Sequence, residues 1–139
     1  MRVNLINPRN LADQHLVAEY GEILMALNHI KKYPFLKNIP KNFCLGTGHI
    51  VFFKNKVKYL EKRHKLIVKE MLRRGFRVNR KFSLTGVNKK LVHDWKPSKK
   101  DKEIIKKRLI YKINLKPEFY RYNKEHRSRK FFVDMIKRD

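Results

Sequence analysis

The sequence predicts an all-α fold, a compact single domain of about three main helices with long ordered loops and an N-terminal arm. Two stretches repeat apolar residues at helical three- and four-residue spacing, and a capping pattern opens a third helix. At 139 residues the chain suits one folding unit, because two cores cut from it would each have too little interior. Its 42% hydrophobic and 12% aromatic residues are enough for a packed core despite 35% charged residues.

Residues 1–9 are short, mixed and end in Asn7-Pro8-Arg9, which reads as an extended arm leading into a helix. That helix is expected to start near Asn10, whose side chain can accept from first-turn amides, with Asp13 where the helix dipole favours negative charge. Leu16, Tyr20, Ile23, Leu24, Leu27 and Ile30 give it one apolar face. Between Lys31 and Asn55, Pro34, Pro40, Gly46 and Gly48 punctuate a connecting loop with some order of its own. Within it, Cys44 reads as a buried small apolar residue and His49 as a structural histidine bonded to neighbouring backbone.

A second helix follows through Val57, Leu60, His64, Ile67 and Met71, closed by Gly75 as its C-terminal cap. Lys58, Lys62, Lys65, Lys69 and Arg73 form a basic stripe on another side of it. Residues 76–97 are irregular and basic; Pro97-Ser98 then starts the third helix, with Asp101 at capping-box spacing and Ile104, Ile105, Leu109 and Lys112 along it. The domain is expected to span 1–122, and 123–139 to be a basic C-terminal extension containing Phe131-Phe132. There is no internal repeat.

The formal net charge of +24, from 36 Lys and Arg against 12 Asp and Glu, repels itself unless a polyanion neutralises it. Nucleic acid is the expected partner; no membrane is expected, because the basic residues run the whole length without one dominant amphipathic anchor. With Cys44 alone, neither an intrachain disulfide nor a cysteine-based zinc site can form, which fits a reducing compartment. The longest apolar run, Ile50-Val51-Phe52-Phe53, is far short of the roughly 20 residues that span a bilayer, and the first residues lack the apolar stretch of a secretion signal, so export is not expected. An intracellular location is expected, in cytoplasm, nucleoid or viral particle.

In the first helix, His15, Glu19 and Glu22 lie four and three residues apart along one face. Three readings are open: a solvated polar face with a weak ion pair, a histidine–carboxylate metal site, or acid/base chemistry by a carboxylate. No second histidine stands at ligand spacing, which disfavours the metal.

Longer words narrow the choice. Val3-Asn4-Leu5, followed by Leu11-Ala12-Asp13-Gln14-His15-Leu16-Val17-Ala18-Glu19-Tyr20-Gly21-Glu22, resembles the opening of the pyrimidine-dimer-specific DNA glycosylase/AP lyase family of phages and viruses. Leu45-Gly46-Thr47-Gly48-His49-Ile50-Val51-Phe52-Phe53 is similar to that family's glycine-histidine-aromatic loop, and Arg74-Gly75-Phe76 to the close of its central helix. Arg108-Leu109, Lys112, Pro117 and Phe119-Tyr120-Arg121-Tyr122 are similar to its C-terminal region. The likeness is strong from residue 2 to about 80, recovers between about 104 and 122, and is absent from the tail.

The resemblance implies a fold in which the N-terminal arm lies between helices. It also implies a monomeric DNA-repair enzyme, without metal or cofactor, that acts on lesions in double-stranded DNA. In such an enzyme the free α-amine of the chain attacks C1′ of the damaged nucleotide, the base bond breaks, an imine forms, and β-elimination cuts the strand. An α-amine has a reference pKa near 8, so about a tenth is unprotonated at pH 7, far more than for a lysine. By this likeness the amine belongs to Met1, retained because Arg2 follows it, and Glu22 is the essential carboxylate. Arg2, Gln14, His15, Arg108, Lys112 and Arg121 then contact DNA. Phe119, Tyr120 and Tyr122 either stack near extruded bases or finish a core.

Two residues depart from the pattern: Gly21 stands where the family carries an arginine, and Met25 where some members carry another. The alternative reading is a basic module that keeps the fold without catalysis and binds DNA or RNA in a packaging, virion or ribosome-like assembly.

Overall fold

The computed structural model describes residues 3–139. Val3, Asn4, Leu5 and Ile6 of the arm are buried. Leu5 has φ +58°, and the amide of Ile6 donates to Asn4 O at 2.5 Å across it, a tight three-residue turn that a leucine adopts only when its surroundings force it.

The first helix, α1, spans Asp13–Lys32 and starts later than Asn10. Pro8 opens a separate 3-10 turn, Pro8–Asn10, capped by Asn7, and Leu11 then turns extended, so the chain leaves the helical path before Asp13. Ala12 precedes α1 without a side-chain cap, and the Asn10 amide instead donates to Asp139 Oδ1 at 3.0 Å. Leu16, Tyr20, Ile23, Leu24, Leu27 and Ile30 are all buried, as their period predicts.

The connecting segment contains the short helix α2, His49–Phe52, between two 3-10 turns. Phe52 and Phe53 pack edge-on against Trp95 from the later loop, Phe52 at 5.0 Å, and Phe43 stacks on the same indole at 6.2 Å. Cys44 is half-buried rather than buried, and its Sγ lies 2.8 Å from where a Cβ on Gly48 would stand, which explains the glycine there.

Helix α3, Val57–Arg73, packs on α1. Gly75 ends it at φ +78°, with Gly75 N donating to Leu72 O and Phe76 N to Met71 O, both carbonyls of the last turn. The expected basic stripe is partly paired within the protein: Lys58 with Glu61, Lys62 with Asp94 and Arg73 with Glu70.

Helix α4, Lys99–Leu115, opens with the capping box the sequence predicts, Asp101 N donating to Ser98 Oγ and Ser98 N to Asp101 Oδ2. A two-strand hairpin, β1 Arg121–Tyr122 and β2 Glu125–His126, pairs Arg121 with His126 and Tyr122 with Glu125. Its tip, Asn123 and Lys124, has positive φ at both residues.

A fourth long helix, α5, Arg129–Arg138, was not expected. It lies in the segment expected to be a basic extension, yet it packs on α4 and buries Phe132, Val133, Met135 and Ile136 in the common core. There are thus four helices of ten residues or more among the described residues, not about three.

Two buried arginines tie these parts together. Arg63 of α3 donates from Nε and Nη2 to both oxygens of Glu19 on α1, at 2.6 and 3.0 Å, and from Nη1 to Ile6 O of the arm. Arg74 donates to Glu70, to Asp13 and to Pro8 O and Arg9 O, and stacks on the Tyr122 ring at 4.1 Å. The arm is therefore held by Arg63 of α3 and by Arg74 at that helix's C-terminal end. Among the described residues, no helix is long and apolar enough to cross a membrane.

Candidate active site

On α1, residues 14, 15, 18 and 22 share one face because four-residue steps return to it. That face lines a cleft of about 490 Å³, opposite Arg108, Leu109 and Lys112 of α4, with Asn4 of the arm and the aromatics Phe119 and Tyr120 completing it. Gln14, His15, Glu22, Arg108 and Lys112, which the resemblance singles out from two distant parts of the chain, thus meet in one place. Arg121 does not. It lines a neighbouring hollow of about 550 Å³ with Asp13, Val17, Phe76 and Lys124, joined to the cleft along Gln14 and Ala18. Met1 and Arg2 lie outside the described residues.

The expected polar face of His15, Glu19 and Glu22 divides. Glu19 is fully buried, and both of its oxygens are committed to Arg63, so it contributes to packing and not to the cleft. Of the two carboxylates Glu22 is the half-buried one, and among the described residues it is the only carboxylate lining the cleft. Among the described residues, no group of three or more His, Cys, Asp or Glu side chains gathers as a metal site.

His15 packs its ring against Tyr120 at 4.8 Å. Burial, helped by the positive charge of Lys112, pushes its pKa down to about 4, so the imidazole is neutral at pH 7. Gln14 is less available than the resemblance suggests, because its amide donates to Phe119 O and accepts from Arg121 N. In this structure it fastens the aromatic segment to α1. Asp13, one residue earlier, does the same for the hairpin tip, accepting from Asn123 N and Lys124 N.

The aromatic residues also divide. Tyr120 is buried against His15 and Phe132, whereas Phe119 is 57% exposed at the edge of the cleft. Asn4 went unremarked in the sequence reading except as part of the opening motif. Its side chain is buried in the cleft wall, and among the described residues neither its Oδ1 nor the buried Nε of Arg108, also in the wall, has a hydrogen-bond partner.

His49 has the structural role expected of it. Its Nδ1 donates to Cys44 O at 2.9 Å and its Nε2 accepts from Val3 N at 2.8 Å, so the glycine-rich loop anchors the arm three residues from the start of the sequence. A family model described as pyrimidine dimer DNA glycosylase matches residues 1–84. That stretch holds the anchored arm, Glu22 and its helix, the His49 loop and the Arg74–Gly75 close of α3, and it is more than half of the 139 residues. The chain belongs to the pyrimidine dimer DNA glycosylase family.

Proposed function

We propose that this protein is a DNA glycosylase with AP lyase activity on pyrimidine dimers and abasic sites in duplex DNA, with the α-amine of Met1 as nucleophile and Glu22 as its acid/base group. The observation that carries the reading is Glu22, among the described residues the single carboxylate in a cleft that also holds the cationic Arg108 and Lys112. Such a site suits a sugar that becomes electron-poor at C1′ while its flanking phosphates need counter-charge.

The arm supports the same assignment. Val3 N is fixed on His49 and Asn4 lines the cleft, and two residues of extended chain span at most about 7 Å. The neutral amine adds to C1′ as the base leaves with the electron pair of its glycosidic bond. The C1′–O4′ bond then breaks as the nitrogen forms the imine, and Glu22 carries the proton that the nitrogen sheds to O4′ of the opened sugar. Loss of a C2′ proton then expels the 3′ phosphate and nicks the strand. Neutral His15 adds a hydrogen-bonding group without adding charge. Extrusion of the damaged nucleotide gives the amine access to a carbon that lies inside the stack in intact duplex.

Borohydride reduction in the presence of dimer-containing or abasic duplex tests this. The wild-type protein should form a covalent adduct that maps to the Met1 peptide. The adduct should vanish in Glu22→Gln and after the N-terminus is blocked. Tight, salt-sensitive binding of undamaged DNA or RNA with no adduct on any lesion would instead establish the non-catalytic binder.

A further inference from the structure

Gly21 immediately precedes Glu22 and leaves a gap on the outer face of α1. Apart from the helix's own backbone and its chain neighbours, the nearest atom to the place where a Cβ would stand is Nη2 of Arg80, at 3.4 Å. Arg80 comes from the irregular segment after α3, nearly sixty residues away in sequence, and its position is tightly determined. The hydroxyl of Tyr20 accepts from Arg80 N at 2.8 Å and donates to Arg80 O at 3.1 Å, so one side chain of α1 grips both polar groups of that peptide segment. The guanidinium lies 5.2 Å from the centre of the same tyrosine ring.

Among the described residues, Arg80 makes no ion pair, although Arg63, Arg73 and Arg74 each hold a carboxylate. Arg80 lines a hollow with Glu61 and His64 of α3 but pairs with no carboxylate among the described residues; an arginine locked at its backbone and unpaired in this way has its fork available for an external anion. On the other side of the exposed face of α1 stand Arg108 and Lys112. Ala18 and Gly21, three residues apart on α1 and on the side of the helix that carries Glu22, present nothing larger than a methyl group.

We propose that Arg80 is a DNA-contact residue, its guanidinium binding a backbone phosphate beside the nucleotide held at Glu22. Gly21 makes room for a positive group that reaches α1 from another part of the chain. This rests on the reading of the cleft as a DNA site, and it deepens that reading by adding a contact on the opposite side of α1 from Arg108 and Lys112.

The test measures binding of a duplex carrying a tetrahydrofuran abasic analogue as a function of salt, for wild type, Arg80→Ala, Arg80→Lys and the double variant Gly21→Arg/Arg80→Ala. Arg80→Ala keeps both Tyr20 bonds, which are to backbone, so the fold is undisturbed. It should bind about tenfold more weakly, and its slope of log affinity against log salt should be shallower by about 0.9, the value for one phosphate. Arg80→Lys should keep the slope and lose part of the affinity, because a point charge does not reproduce the fork. The double variant should regain the slope from the helix itself. An Arg80→Ala slope equal to wild type overturns the proposal, and so does a double variant as weak as Arg80→Ala. Wild type that binds with a normal slope but forms no borohydride adduct overturns the catalytic reading and leaves the Arg80 contact standing.

Discussion

Replacing Glu19 by alanine should be among the most damaging single changes in α1 outside the apolar core. The side chain of Arg63 is 3% exposed and that of Glu19 fully buried, and the guanidinium donates twice to that carboxylate. Without Glu19 the cation stays buried with Ile6 O as its remaining acceptor, a loss of about 3–5 kcal/mol. An unfolding entropy of about 2.1 cal/mol/K per residue over 139 residues makes each kcal/mol worth roughly 3.4 °C, so Tm should fall by about 10–17 °C. Scanning calorimetry and urea titration would measure it. The double variant Glu19→Leu/Arg63→Met, which removes both charges, should lie much closer to wild type, and the cycle isolates the coupling. Glu22→Gln, in the open cleft, should leave stability within about 1 kcal/mol of wild type while abolishing the adduct. A Glu19→Ala protein as stable as wild type would show that Arg63 is not held by this carboxylate and would refute the account of how the arm is fixed.

Three further outcomes follow from the same contacts. His49→Ala leaves Val3 N–H and Cys44 C=O without their shared partner, so stability should fall by about 2–4 kcal/mol and the yield of trapped adduct should fall further than Tm explains, as a paired comparison at a temperature well below melting would reveal. His15 holds its neutral form down to about pH 4 when folded but titrates near 6.5 when unfolded, so the unfolded chain binds the extra proton between those values and stability declines as pH drops through that window, by up to about 3 kcal/mol. Urea titrations at pH 7.5 and 4.5 should show that decline shrinking in His15→Asn, and an identical decline in both proteins would contradict it. Phe132→Ala, at a fully buried position of α5, should cost about 3–5 kcal/mol, whereas an unchanged Tm would mean that residues 123–139 behave as a loose extension.

The periodic parts of the chain were readable because burial repeats with the helix. Leu16 to Ile30 and Val57 to Met71 fall inside, and Ser98 with Asp101 marks a helix start by a purely local pair of bonds. Long-range polar pairing has no such local trace. Glu19 looks like its neighbour Glu22 in any window, and only Arg63, forty-four residues away, distinguishes them. Asn10 is a good cap by residue type, but the turn begun at Pro8 places it elsewhere. Helix α5 was hidden by charge, since Lys130, Asp134, Lys137 and Arg138 surround the apolar pairs Phe132–Val133 and Met135–Ile136; Ser128, which accepts from Phe131 N, was the available signal. Within the cleft, Glu22, Arg108 and Lys112 came from the family likeness, while Arg80 lies in a stretch without periodicity and could be found only from its distance to Gly21.

The carboxylate of Asp139 accepts from both Asn7 N and the Asn10 amide, across nearly the whole length of the chain, and the backbone oxygen of Asp139 takes Lys106 Nζ. This fastening can close only once α5 has settled on α4, although the arm it holds precedes α5 by more than a hundred residues. Closing so long a loop is slow compared with forming the helices themselves. With the helices formed and α5 undocked, the arm has its holds on Arg63, Arg74 and His49 but lacks the fastening at Asp139.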